Sequence, residues 1–219
     1  MILCQFSRQF VINHLLPHRE VDVIYNPVPD AMFEEIIQVP DSRTIVFFGR
    51  VMKSKGVHSL IKAFNKVARR FVDVKLKIIG DGEIDEARTF VDEAIKHQVQ
   101  FCGYRQKEDL MREIDQAMFC VLPSYFENFS MAALEVMARS RALIYTSRAS
   151  GPELIEDGVN GFMVDPDDVT TLAEKMEQLI TNISLRQRLS KNGFNSCQSK
   201  YSASVIIPQI EKYYISHIR

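Results

Sequence analysis

Strand-like and helix-like segments alternate along this chain from residue 43 onward. The first strand-like run, RTIVFFG, is continuously apolar and ends in glycine, which is typical of a strand buried on both faces of a parallel sheet. Apolar residues at helical spacing from Val57 to Phe71 then predict an amphipathic helix of about four turns. Further strands are predicted at VKLKIIG, VQFCG, AMFCVLP, ALIYTS and GFMVDP. This order predicts an α/β fold with a Rossmann-like, doubly wound parallel sheet, which binds ligands at the carboxyl ends of its strands.

The helices predicted between these strands are IDEARTFVDEAIKHQ, KEDLMREID and FSMAALEVMARS. Two or three more helices finish the chain, and Pro208 predicts a kink in the last one. The first 40 residues differ: a helix-like start leads into VDVIYNPVPDAMF, which reads as a strand running into a turn or linker. We therefore divide the chain into residues 1–40, a core domain of residues 41–200 and a C-terminal helix of residues 201–219.

Length, charge and cysteine spacing exclude several classes of protein. The chain has 219 residues, enough for one domain with appendages rather than two full domains. A net charge of −1 argues against a general nucleic-acid binder. No metal site is predicted, because the four cysteines form no C-x-x-C pair and Pro17 interrupts the helix that His14 and His18 would need to share. A reducing, cytoplasmic setting is predicted, and no apolar run is long enough to span a membrane.

The loop after the first strand, GRVMKSKGVHS, carries cations between a strand end and a helix start. Arg50 and Lys55 are flanked by Gly49 and Gly56, so a phosphate would meet two cations and backbone N–H groups there. The loop is not a P-loop, because Gly56 rather than Ser or Thr follows the lysine. The alternative interpretation is that the lysines of this loop are solvated surface charges.

Two other motifs favour structural interpretations. Gly80 and Gly82 follow the second strand, but the third glycine of a dinucleotide fingerprint would fall at Asp85, so a plain strand-to-helix turn is the better prediction. In the acidic string DPDDVTTLAEKM, Asp167 or Asp168 is predicted to be a helix N-cap rather than a cation ligand.

The segment PSYFENFSMAALEVMARS is the most informative in the chain. Glu127 stands just before a predicted helix with residues 129–131 in its first turn, and Glu135 lies eight residues further on. The unpaired N–H groups and the dipole of such a helix start attract an anion. A carboxylate within the apolar run around Glu135 either faces water or has a partner. The alternative is that Glu135 pairs with Arg139 on an exposed face while Glu127 only complements the helix dipole.

Four segments taken together resemble a known family. FFGRVMKSKG, IIGDGE, VQFCGYRQKEDLMREIDQAMFCVLPSYFENFSMAALEVMA and LIEDGVNGFMVDPDD have the order and spacing of the carboxyl-terminal, donor-binding domain of retaining family 4 glycosyltransferases of the GT-B fold. The resemblance is strong from about residue 44 to residue 180, and VIYNPVPDAMF is similar to the interdomain connection of that family. It implies a single half of a GT-B fold, in which residues 1–40 are a remnant of the interdomain segment and residues 41–200 bind a nucleotide sugar.

The resemblance also implies the site residues and the reaction. Arg50, Lys55 and Glu127 form the catalytic set: the two cations contact the diphosphate and Glu127 holds donor-sugar hydroxyls, while Glu135 binds the ribose. The implied donor-binding set is Gly49, Tyr104, Asn128, Phe129, Ser130, Met131 and Glu135. A hexose would pass from a nucleotide diphosphate sugar to a glycan or lipid-linked acceptor. No metal or other cofactor is expected, because fixed cations and a helix dipole stabilise the leaving diphosphate.

The sequence departs from the family pattern in three places. Asn128 and Ser130 replace the glycines that usually flank the phenylalanine, which narrows the backbone approach to the donor. Ser140 and Ala142 stand where the family tends to have Gly and Pro. The chain is also long enough for only one of the two halves, and the amino-terminal half usually binds the acceptor.

Two alternatives to a transferase remain open at this stage. One is a binding module that holds a sugar nucleotide without turnover until a separate acceptor-binding half joins it, and the other is a sugar-nucleotide epimerase. The C-terminal run VIIPQIEKYYISHI predicts an exposed apolar patch for an amino-terminal partner chain or self-association. A cytoplasmic protein, peripheral at the inner face of the membrane, is the expected location.

Overall fold

A six-stranded parallel sheet forms the centre of the computed structural model, which describes residues 1–17, 19–33 and 42–218. The strand order is β3-β2-β1-β4-β5-β6, and each neighbouring pair is parallel. The strands are β1 (Thr44–Phe48), β2 (Lys75–Ile79), β3 (Val99–Gly103), β4 (Phe119–Leu122), β5 (Leu143–Thr146) and β6 (Phe162–Val164). The order reverses between β1 and β4, so the predicted doubly wound α/β fold is confirmed and its ligand crevice lies at the carboxyl ends of these two strands.

Helices connect the strands and flank the sheet. They are α1 (Gln5–His14), α2 (Val57–Ala68), α3 (Ile84–Arg88), α4 (Lys107–Asp115), α5 (Met131–Ala138), α6 (Gly151–Leu154), α7 (Val169–Thr181), α8 (Ile183–Tyr201) and α9 (Ala203–His217). The apolar stripe predicted for α2 is fully buried at Leu60, Ile61 and Phe64. The side chain of Asp168 caps α7 by accepting a hydrogen bond from the Thr171 N–H at 2.9 Å, as predicted. Pro208 lies inside α9.

The single helix predicted over IDEARTFVDEAIKHQ is wrong. The structure has the short helix α3, a turn, and then a 3₁₀ helix at Glu93–Gln98. The amide of Asn65 on α2 donates to the Phe90 carbonyl at 2.8 Å and accepts from the Asp92 N–H at 3.2 Å. These bonds engage backbone groups that a continuous helix would use itself, so tertiary contacts interrupt the helix.

The strand predicted within VDVIYNPVPDAMF is also wrong. This segment makes only isolated bridges, Val23 with Ile2 and Val28 with Ser202, because Pro27 and Pro29 carry no N–H group for a ladder. The proposed boundary at residues 40 and 41 lies outside the described residues, as does His18. Among the residues that are described, no helix has the length and apolar character needed to cross a membrane.

The glycines after β2 bring two strand-to-helix turns into contact. Gly80 has φ +137°, and a Cβ placed on it would lie 1.9 Å from the Gly49 carbonyl oxygen. The Gly80 N–H donates to Gly103 at 2.9 Å, and the Gly49 N–H donates to Ile79 at 3.0 Å. The plain turn predicted here is confirmed. Because Gly80 has no side chain, the backbone of Gly49 can pack directly against it at the end of the sheet.

Candidate functional site

A pocket of about 210 Å³ opens at the carboxyl ends of β1 and β4. Lys55 enters from the loop after β1, Ser124 and Glu127 from the loop after β4, and Met131 from the start of α5. Two larger depressions, of about 440 and 560 Å³, lie elsewhere on the surface and contain none of the predicted site residues. The candidate site is therefore the pocket at the reversal of strand order.

Lys55 and Glu127 form an ion pair inside this pocket. The Nζ atom of Lys55 lies 2.7 Å from Oε1 of Glu127, and the Ser124 hydroxyl donates to the same oxygen at 2.8 Å. The side chains are 33% and 17% exposed, so the interpretation of Lys55 as a freely solvated charge is wrong. Gly56 allows the loop that carries Lys55 to pack closely against Pro123. It has φ +73°, and a Cβ there would lie 1.9 Å from the Pro123 carbonyl oxygen.

The start of α5 borders the pocket, and the helix begins two residues later than the sequence predicts. Ser130 is the N-cap and its hydroxyl accepts a hydrogen bond from the Ala133 N–H at 3.3 Å, so the first helical residue is Met131. Phe129 and Ser130 therefore precede the first turn, although both still line the pocket. The Phe129 ring is buried, with its centroid 4.8 Å from that of Tyr25. This packing holds the N-terminal end of the helix at the pocket.

Asn128 turns toward α1 and is absent from the described lining of the pocket. Its amide oxygen accepts hydrogen bonds from the Ser7 hydroxyl and from the Cys4 thiol, the latter at 3.2 Å. The carboxylate of Glu153 also holds α1, by accepting from the backbone N–H groups of Gln5 and Phe6 at 2.8 Å each. Sequence reasoning missed both contacts, because they join positions more than 100 residues apart and no local pattern signals them.

A second pocket, of about 320 Å³, shares the wall formed by Phe48 and Gly49 with the first. Arg50 and Tyr104 both line it. The Tyr104 N–H donates to Oδ1 of Asp81 at 3.1 Å, and its ring is 60% exposed. The structure thus brings Arg50 and Tyr104 together beside the first pocket, at positions 54 residues apart in sequence.

Glu135 has a different partner from the one considered above. Its Oε1 lies 3.6 Å from Nζ of Lys107, whereas Arg139 binds both oxygens of Asp115, at 2.7 and 2.5 Å. Burial raises the pKa of Glu135, and the ammonium group of Lys107 offsets part of this rise. The alternative in which Glu135 pairs with Arg139 is therefore wrong. Glu135 is also not among the described residues that line either pocket.

A polar cluster that the sequence did not indicate lies beside the loop after β4. The Tyr125 hydroxyl donates to Oδ1 of Asp167 at 2.8 Å, and Arg148 lies 2.5 Å from the other oxygen of that carboxylate. The Tyr125 N–H donates to the Ser54 carbonyl at 2.8 Å. This bond links the loop that carries Lys55 to the loop that carries Glu127, and so supports their ion pair.

Comparison with known proteins places this arrangement in a described family. A family model described as "Glycosyl transferases group 1" matches residues 42–182, which is more than half of the chain. The capsular polysaccharide biosynthesis glycosyltransferase CapM of Staphylococcus aureus is 27% identical over 183 residues, covering 82% of this chain and 47% of the relative. The chain spans about half the length of the curated relatives it matches.

Solved structures agree on the fold. Anabaena HepE, determined in complex with UDP, superposes with a TM-score of 0.88 at 20% identity, covering 98% of this chain and 63% of that one. The C-terminal domain of the group 1 glycosyltransferase LpcC from Francisella tularensis superposes with a TM-score of 0.69 at 25% identity, covering 82% of this chain and 97% of that domain.

Proposed function

The chain belongs to the group 1 glycosyltransferase family, and we propose that it forms the donor-binding half of a retaining hexosyltransferase. The donor is a nucleotide diphosphate sugar and the acceptor is a glycan or a lipid-linked sugar. The observation that carries the proposal is the Lys55–Glu127 ion pair, 2.7 Å long, at the carboxyl ends of the strands where the sheet order reverses. At that position a fixed cation and a helix N-terminus can bind the donor diphosphate, and a carboxylate can bind the hydroxyl groups of its sugar.

The proposed role of the cations is to stabilise the leaving diphosphate. Negative charge builds on the diphosphate as the glycosidic bond breaks. The side chains of Lys55 and Arg50 and the first N–H groups of α5 would stabilise this charge. Lys55 is held in place before the donor arrives, since Glu127 and the Ser54–Tyr125 backbone bond fix its loop. Such fixed charges supply the stabilisation without a metal ion, and we propose a metal-independent reaction on this ground.

Glu127 is proposed to hold hydroxyl groups of the donor sugar. Its Oε1 already accepts from Lys55 and Ser124, which orients the carboxylate and leaves Oε2 to accept from the sugar. Glu135 is proposed to accept hydrogen bonds from the ribose, and the exposed ring of Tyr104 to border the base. Crystal structures of HepE hold UDP and UDP-glucose, so UDP is the first nucleotide to test on this chain.

A binding module without turnover is the second candidate function. The observation behind it is that the pockets described above account for the donor, and the chain matches about half the length of its curated relatives. In that case the same pockets hold the sugar nucleotide, and an acceptor-binding half on a separate chain is needed for transfer. Multiple turnover by the 219-residue chain alone would exclude this candidate.

Calorimetric titration with UDP, GDP and ADP tests the proposed site. We expect one of them to bind, with an affinity at least tenfold lower in Lys55→Ala because a charge-assisted contact to phosphate is lost. Lys53→Ala is the matched control, since Lys53 is an exposed lysine of the same loop and should leave the affinity unchanged. Equal binding by both variants would remove Lys55 from the site, and no binding of any nucleotide would leave only the family and the fold.

We also propose a cytoplasmic protein that is peripheral at the inner face of the membrane, where a lipid-linked acceptor would be available. Cell fractionation tests this: the protein should appear in the cytoplasmic and membrane-peripheral fractions and be released from the latter by salt. Recovery from the medium would contradict the proposal.

A further inference from the structure

We propose that the first turn of α2 and the start of α3 form a binding site for a divalent transition-metal ion, with His58, Glu83 and Glu86 as its protein ligands. One ligand atom from each of these side chains lies within 4.8 Å of the other two. Nε2 of His58 is 3.9 Å from Oε1 of Glu86, too far for a hydrogen bond. Nitrogen and oxygen ligands of a tetrahedral zinc ion lie roughly 3.3–3.6 Å apart, so the Glu86 carboxylate would move toward Nε2 of His58 by a few tenths of an ångström on binding.

His58 distinguishes this cluster from an ordinary acidic surface. Its side chain is only 9% exposed, and its Nε2 is buried with no hydrogen-bond partner among the described residues. An unpaired buried nitrogen is costly, and an ion held by the two glutamates would supply the missing partner. The imidazole ring stacks on Phe90 with a centroid distance of 4.3 Å, which restricts the ring while its Nε2 lies 3.9 Å from Glu86.

The two glutamates are available as ligands. Both are exposed, so their side chains can close on an ion, and within the described chain neither pairs with a lysine or arginine. The nearby cations have other contacts, Arg88 with Asp85 at 3.2 Å and Lys62 over the Phe90 ring at 4.9 Å. One imidazole with two carboxylates suits zinc and its first-row neighbours better than Mg²⁺ or Ca²⁺.

The site lies outside the two pockets described above and was not predicted from the sequence. Its ligands come from two elements, with His58 and Glu83 separated by 25 positions, so no spacing motif marks it. An ion there would join α2 to α3 just beyond the loop that carries Lys55. Binding to the folded chain alone would raise the unfolding temperature, and above the Kd this rise would follow the logarithm of the free ion concentration.

Calorimetric titration of the metal-free chain with Zn²⁺ tests the proposal. We expect one ion per chain, an affinity at least tenfold lower in Glu86→Gln and in His58→Gln, and a rise in Tm with Zn²⁺ that Glu86→Gln lacks. Co²⁺ should bind with a visible absorption band that disappears in the same variants. Glu93→Gln is the control, because Glu93 is an exposed glutamate that pairs with Lys96 outside the cluster.

The Glu86→Gln variant tests the proposal even if the His58→Gln variant fails to fold. The Glu86 side chain is 57% exposed, so its substitution should leave the fold intact. Unchanged Zn²⁺ affinity in Glu86→Gln would overturn the proposal and assign the ion to surface histidines elsewhere. The absence of Zn²⁺ binding, or equal affinity for Mg²⁺, would overturn it as well.

Discussion

At the scale of single residues, Glu135 shows how burial opposes the ionisation of a carboxylate. Its side chain is 16% exposed and Nζ of Lys107 lies 3.6 Å away, and the charged form loses more by desolvation than it gains from this ion pair. The resulting rise in pKa means that the folded chain binds a proton at Glu135 more readily than the unfolded chain does. Ionisation of Glu135 therefore destabilises the folded state.

We expect Glu135→Gln to raise Tm at pH 7, by about 1–3 °C for a chain of this size. The sign follows from the raised pKa: the destabilisation is absent below the pKa of the unfolded chain and complete above that of the folded chain. The gain should consequently shrink as the pH falls from neutral toward 4. Thermal unfolding across this range measures it, and Lys107→Gln, which removes only the exposed partner, should instead lower Tm or leave it unchanged. A loss of stability in Glu135→Gln at pH 7 would contradict this account.

At the scale of elements, the turns after β1 and β2 position the site together. Gly80 approaches Gly49 so closely that a methyl group would lie 1.9 Å from the Gly49 carbonyl oxygen. The Gly49 backbone forms the shared wall of both pockets, so a shift there would move Arg50 and the loop to Lys55. The stability of the sheet end and the shape of the site thus depend on the same backbone contact.

We expect Gly80→Ala to lower the free energy of unfolding by about 3 kcal/mol or more, since it combines backbone strain at positive φ with a steric clash. Nucleotide affinity should fall in the protein that remains folded. Gly158→Ala is the control, because Gly158 has φ +73° but nothing within 4 Å of its Cβ position. Its cost should be about 1–2 kcal/mol from the backbone alone. Denaturant unfolding compares the two, and equal losses would show that the contact with Gly49 is unimportant.

At the scale of the whole molecule, the C-terminal helix leaves apolar side chains in contact with water, as the sequence predicts. Ile207, Tyr214, Ile215 and Ile218 are 44%, 53%, 75% and 76% exposed. The opposite terminus lies nearby, since the amino group of Met1 donates to the Tyr213 hydroxyl at 3.4 Å. These side chains form an apolar surface of the kind that marks a contact site.

We expect the chain to self-associate through α9 with rising concentration, because burial of these side chains is favourable. The double substitution Ile215→Lys with Ile218→Lys should make it monomeric without lowering Tm, since both side chains are more than 70% exposed. Val72→Lys is the control, because Val72 is 76% exposed on a different part of the surface and should leave association unchanged. Sedimentation velocity measures the outcome, and a chain that stays monomeric at high concentration would contradict the prediction.

Sequence alone determined the parallel sheet, most helix positions and the two loops that carry Lys55 and Glu127. These features depend on local patterns, such as continuous apolar runs, helical periodicity and glycine at strand ends, whose physical causes act within a few residues. The tertiary structure decided which groups the polar side chains contact, such as Lys107 for Glu135, Asp115 for Arg139, and residues at the start of α1 for Asn128.

Tertiary contacts and capping bonds also decided where helices begin and end when the sequence pattern predicted otherwise. Asn65 interrupts the helix predicted after Ile84, and Ser130 sets the start of α5 through its capping bond. The His58, Glu83 and Glu86 cluster likewise exists only once α2 and α3 are packed together. The physical reason is that side-chain pairing depends on distances between elements, which follow from how the helices pack on the sheet and not from the order of residues along the chain.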